Sequence, residues 1–92
     1  MTNNLLTPWV PHERAVESQL GDETVILHLD NSTYYSLDSF GTKIWKLLKE
    51  KEIPSDICAK LASEFDVEPA KVEADVSRFL SDLVRQNLVI EG

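Results

Sequence analysis

Thr33-Tyr34-Tyr35-Ser36-Leu37-Asp38-Ser39-Phe40-Gly41-Thr42-Lys43-Ile44-Trp45-Lys46-Leu47-Leu48 is the stretch in which the chain changes texture. Up to Leu37 the apolar residues alternate with period two, and beyond Asp38 they follow the helical period. Thr33–Leu37 is short and rich in β-prone residues, so it reads as a strand. Tyr35 and Leu37 share one face, and Tyr34 and Ser36 share the other. Asp38 or Ser39 can then cap a helix, because a short polar side chain satisfies the free N–H groups of a first turn. Phe40, Ile44, Trp45, Leu47 and Leu48 are spaced to make one buried face of that helix, which runs to about Lys51. Lys43, Lys46 and Lys49 lie on its exposed side.

Upstream, the pattern predicts two more strands. Val16, Ser18 and Leu20 fall on one side of an extended segment beginning near Glu13. Gly21-Asp22 is a turn signal, and Glu23–Leu29 follows, which together read as a β-hairpin. Val25, Leu27 and Leu29 are expected to form its inward face, leaving Ile26 and His28 outside. Asp30-Asn31-Ser32 makes the turn into Thr33. Residues 1–12 read as a loose lead-in. Pro8 and Pro11 bias Trp9-Val10 to extended backbone, and Trp9 can pack back on the domain.

Downstream, Pro54 and Pro69 suit the first positions of two further helices. Ile57, Leu61 and Phe65 make the stripe of one, with Cys58 and Ala62 beside it. Val72, Val76, Phe79, Leu80 and Leu83 make the stripe of the other. Asn87 can adopt the left-handed turn that ends a helix, and Leu88-Val89-Ile90 is a brief extended tail. Three strands followed by three helices predict an α+β fold. It is a three-stranded antiparallel sheet followed by three helices, winged helix-turn-helix-like, with residues 13–92 as one domain.

Composition narrows the function. The chain has 92 residues and a net charge of −7. A domain of this size buries only about 60–65% of its unfolded surface, and it has no room for separate cofactor and substrate domains. The negative charge argues against phosphate neutralisation, and so against nucleic acid and anionic membranes as main partners. The would-be recognition helix over residues 68–86 sets Lys71, Arg78 and Arg85 against Glu68, Glu73, Asp75 and Asp82, a net of −1. Cys58 is alone, so there is no intramolecular disulfide framework, and it reads as a core thiol. His12 and His28 are widely spaced, and His28 is expected on an exposed strand face. No metal-ligand cluster, nucleophile–base pair or Gly-rich phosphate loop is apparent, so no catalytic residue, metal or cofactor is expected. Neither a signal peptide nor a run long enough to span a membrane is visible, which predicts a cytoplasmic protein.

Peptide binding by strand addition is the mechanism that fits. Thr33, Tyr34, Tyr35, Ser36 and Leu37 form an edge with no Pro and no Lys to discourage pairing. Asp75, Val76, Arg78, Phe79 and Asp82 on the third helix can wall a groove beside it. Tyr35, Leu37, Val76 and Phe79 read first as plain core, whereas Tyr34, Ser36, Asp75, Arg78 and Asp82 suit a surface. An open edge can also pair with a second copy of the chain.

The Tyr35-x-Leu37-Asp38…Gly41-x-x-Ile44-Trp45 core resembles the central signature of PqqD-like proteins, the precursor peptide recognition elements of ribosomally synthesised, modified peptides. Ile57–Phe65, Asp66-Val67-Glu68-Pro69 and Asp75–Leu83 resemble the later parts, so the likeness covers about residues 13–90. It implies a non-catalytic domain that binds the leader of a precursor peptide as a strand added to the third strand, beside the third helix. Tyr34-Tyr35 and Gly41-x-x-Ile44-Trp45 look most like the stand-alone leader-binding half of split lasso-peptide B proteins, whose partner is a separate leader peptidase. The alternative within the family is the protein of pyrroloquinoline quinone biosynthesis, which works with a radical S-adenosylmethionine enzyme. A small winged-helix transcription regulator is the rival from another class. Asn87 stands where many relatives have Gly, a change that Asn tolerates at a helix end.

Overall fold

A computed structural model describes residues 6–21 and 23–92. Its elements are β1 (Trp9–Pro11), β2 (Ala15–Leu20), β3 (Glu23–His28), β4 (Tyr34–Leu37), α1 (Ser39–Lys49), α2 (Pro54–Phe65), α3 (Pro69–Arg85) and β5 (Val89–Glu91). β2, β3 and β4 form an antiparallel sheet in that spatial order, and β1 pairs with β5 in a second, two-stranded sheet. The architecture is the expected α+β, winged-helix-like arrangement of a three-stranded sheet followed by three helices.

Local chemistry explains the helix boundaries. Asp38 caps α1, its Oδ1 accepting from the Gly41 N–H at 2.8 Å. Pro54 and Pro69 open α2 and α3, where a missing N–H removes nothing the helix needs. Asp66 takes the left-handed conformation at the end of α2, and Asn87 does so just beyond α3, as its type predicts. The helical stripes meet in one core containing Ile44, Trp45, Leu48, Ile57, Leu61, Val72, Val76, Leu80 and Leu83, closed on the sheet side by Ile26 and Leu37. Cys58 lies in this core, and burial raises its thiol pKa.

Two expectations are corrected. The lead-in is not loose throughout: residues 1–5 lie outside the described residues, but Trp9–Pro11 is a strand, and the Trp9 side chain is buried in the core. His12, which shows no partner in the sequence, accepts from the Arg14 N–H through Nδ1, and its own backbone N–H donates to the Leu88 carbonyl. The tail thus folds back onto the start of the chain.

The second correction concerns β3. Its inward residues are Thr24, Ile26 and His28, whereas Leu27 and Leu29 are exposed and Val25 is half-buried. Two polar residues are buried here: a neighbour serves Thr24, and His28 is served at one ring nitrogen, its Nε2 being buried with no hydrogen-bond partner among the described residues. Thr24 Oγ1 accepts from Gln19 Nε2 at 2.9 Å, and His28 Nδ1 accepts from the Asp30 N–H at 3.2 Å. The His28 ring also packs against His12, with centroids 5.0 Å apart. On the outer face, Val16, Leu27 and Tyr34 form a row across all three strands.

Glu17 ties β2 to α1. Its Oε1 accepts from Lys49 Nζ at 2.6 Å and from the Trp45 indole at 3.1 Å. Lys49, then the indole, hold the carboxyl below its ordinary value of 4.5, against a desolvation penalty. A depressed carboxylate contributes stability above its unfolded pKa and loses it as pH falls through the folded one. Glu17→Gln is therefore expected to lower stability by about 0.5–1 kcal/mol at neutral pH, in keeping with a partly solvated pair. Denaturant midpoints should show that difference shrinking as pH falls below 4.5. A pH-independent difference would mean that the ion pair contributes nothing.

Candidate functional site

Among the described residues, β4 has a neighbour on one side only. The ladder phase shows which backbone groups its open side presents. His28 N donates to Thr33 O at 2.9 Å. With Ile26 opposite Tyr35 and Thr24 opposite Leu37, bonding to β3 alternates through Thr33, Tyr35 and Leu37. Tyr34 and Ser36 lie between those bonded pairs, so their N–H and C=O groups point away from the sheet. Both residues are exposed. The edge thus offers two donors and two acceptors at strand spacing.

Tyr35 and Leu37 point the other way, toward the helices. Leu37 is buried and Tyr35 half-buried, its ring meeting Phe79 of α3 edge-on with centroids 6.4 Å apart. Burial of the phenol, followed by the adjacent Asp82 carboxylate, pushes Tyr35 above its ordinary pKa of 10.0. Tyr35 therefore spans from the edge strand to α3 as a neutral side chain at physiological pH.

At the C-terminal end of β4 lies a cavity of about 380 Å³, lined by Glu23, Tyr35, Ser36, Leu37, Asp38 and Phe79. Gly41 lies against two of these lining residues, Phe79 and Asp38. A methyl group there would stand 3.1 Å and 3.2 Å from the Phe79 ring and 3.3 Å from Asp38 Oδ1. The glycine lets the start of α1 and the middle of α3 approach closely enough to seat that ring.

Of the residues singled out in the sequence, Tyr35, Ser36, Leu37 and Phe79 come together at this cavity. Tyr34 adds edge backbone. Thr33 lies one residue before β4, its N–H donating to Asn31 Oδ1 at 3.0 Å. Val76 is buried core behind the wall rather than its surface. Asp75 pairs with Arg78 at 2.5 Å and Asp82 with Arg85 along α3, and Asp82 also stands beside the Tyr35 phenol at the edge strand.

Glu23 and Asp38 are the lining residues that sequence reasoning missed as site residues. Asp38 was legible only as a helix cap. Glu23 could have been found from the register: one step beyond the Thr24–Leu37 pair, it falls across from Asp38. Among the described residues, no group of three or more His, Cys, Asp or Glu is placed to hold a metal ion, and no helix is long and apolar enough to cross a membrane.

Comparison with known proteins bears on this geometry. The family model described as coenzyme PQQ synthesis protein D (PqqD) matches residues 23–89, which include β3, β4 and all three helices. Among solved structures, TbiB1 in complex with the TbiA(beta) leader peptide superposes with a TM-score of 0.81 at 35% identity, over 87% of this chain and 93% of that one. Lasso peptide synthetase B1 complexed with the leader peptide gives a TM-score of 0.84 at 20% identity, over 90% of this chain and 98% of that one. At that lower identity the second match speaks for the fold alone. A comparison with curated proteins gives no match.

Proposed function

The chain belongs to the PqqD family, and on that premise we propose that it binds the leader region of a ribosomally synthesised precursor peptide as a fourth strand on β4. The observation that carries this reading is the outward-facing backbone of Tyr34 and Ser36 beside a cavity walled by α3. Main-chain hydrogen bonds along the edge supply affinity, and side chains entering the cavity supply sequence preference. The resemblance to TbiB1, which was solved with a leader peptide, supports the same class of ligand.

The domain does no chemistry of its own in this reading. It holds the precursor for a partner maturation enzyme, which we take to be a leader peptidase of lasso-peptide biosynthesis. The Tyr34-Tyr35 and Gly41-x-x-Ile44-Trp45 motifs favour that pathway over partnership with a radical S-adenosylmethionine enzyme. A DNA-reading role is disfavoured by charge, since α3 carries carboxylates at Glu73, Asp75 and Asp82 on the helix that would enter the groove.

The test is titration of labelled leader peptides, encoded by short reading frames beside this gene, followed by fluorescence anisotropy. Saturable binding of one such peptide, with none to a random DNA duplex at low salt, is expected. Binding to the duplex with a steep salt slope, and to none of the peptides, would replace this reading with that of a regulator.

Gly41 provides a second check. Gly41→Ala gains helix propensity of up to about 1 kcal/mol, but its methyl group presses the Phe79 ring toward the cavity. The melting temperature is expected to move by only a few degrees, while peptide affinity falls about threefold to tenfold, because 1 kcal/mol of lost fit is about fivefold. Calorimetric titration beside thermal melts separates the two effects. A large loss of stability with unchanged affinity would make Gly41 purely structural.

A further inference from the structure

The cavity at the end of β4 combines two surfaces that seldom suit the same ligand group. Tyr35, Leu37 and Phe79 give it apolar walls, while Glu23 and Asp38 put two acidic residues in the same lining. Among the described residues, no cationic side chain lines it. The α3 arginines, Arg78 and Arg85, are paired with Asp75 and Asp82 of their own helix. Asp38 already accepts from the Gly41 N–H as the α1 cap. Glu23 has no such duty: it is exposed, it starts β3, and it takes part in none of the ion pairs among the described residues.

A long aliphatic stem ending in a cation fits both surfaces at once, since Lys and Arg lay their methylenes on apolar walls and keep the head among polar groups. We propose that this cavity takes a lysine or arginine side chain of the added strand, and that Glu23 is the residue that selects it. The inference rests on strand addition at β4. Register places the cation, because side chains of an added strand alternate between faces. Residues set opposite Tyr35 and Leu37 point toward α3, and a long side chain at the Leu37 end runs past Asp38 toward the start of β3, where Glu23 lies at the rim of the cavity. Electrostatic complementarity of this kind governs specificity more than total affinity.

A display library of random 12-residue peptides tests this and needs no natural ligand. It is panned in parallel on the wild-type chain, Glu23→Lys, Glu23→Gln and Ser36→Pro, each checked for folding by circular dichroism. Wild-type winners are expected to share Lys or Arg at one position, with a threefold to tenfold loss of affinity when norleucine replaces it. Glu23→Lys should enrich Asp or Glu at that position, and Glu23→Gln should show no charge preference there. A reversed preference cannot arise from misfolding. If wild type and Glu23→Lys enrich the same sequences, charge selection by Glu23 is wrong and strand addition stands. If the wild-type chain and Ser36→Pro enrich the same sequences, or the wild-type chain enriches none, strand addition fails and the charge inference falls with it.

Discussion

Ser36→Pro is expected to weaken peptide binding at least tenfold while leaving the domain folded. The N–H of Ser36 points away from β3, so proline removes a donor that the native fold leaves free. Proline is tolerated on an edge strand when its missing N–H faces solvent. An incoming strand loses one hydrogen bond, a net effect of about 0.5–1.5 kcal/mol, and the ring's Cδ also stands where that strand must approach. The two effects together exceed the 1.4 kcal/mol that corresponds to a factor of ten. Tyr35→Pro is the instructive contrast. The N–H of Tyr35 faces Ile26 within the ladder, so its loss strikes the β3–β4 pairing itself and lowers stability as well as binding. Anisotropy titrations and thermal melts of both variants distinguish a lost docking edge from a lost strand. A folded Ser36→Pro that binds a leader peptide as tightly as the wild type would move the docking site off β4.

The helical half of this fold is written locally, which is why it could be read. Asp38, Pro54, Pro69 and Asn87 each mark a boundary through chemistry confined to a few residues. The stripes between them have only one face apolar enough to bury. The sheet half depends on contacts distant in sequence. β1 and β5 are three residues each, and neither is a strand until Val10 meets Ile90 from the other end of the chain. The edge of β4 was legible because exposure of an end strand follows from having only three strands. The cavity was not legible, because Glu23 reaches Asp38 through the pairing of β3 with β4 and Asp38 already has an evident role as a cap.

The inverted face of β3 has the same origin, and it yields the clearest stability test. Alternation fixes that a strand has two faces but not which one meets the helices. Val25, Leu27 and Leu29 are the more apolar set, yet the side that meets α1 carries Thr24, Ile26 and His28. Ile26 is fully buried and lies opposite Tyr35, so it supports the strand that carries the proposed docking edge. Ile26→Ala is expected to cost about 2–5 kcal/mol, the range for truncating a buried aliphatic side chain. Against a typical total of about 5–15 kcal/mol, that leaves a small domain marginal. Leu27 is 38% exposed, and Leu27→Ala should cost less, about 1–2 kcal/mol, because more than a third of its surface stays in water and its truncation opens no closed cavity. Urea unfolding measures both as shifts in midpoint at constant slope. Equal losses, or a larger loss for Leu27→Ala, would return β3 to the orientation its hydrophobicity suggests. That reversal would also turn Tyr35 and Leu37 away from Phe79, because β4 shares its faces with β3, and the cavity would no longer exist.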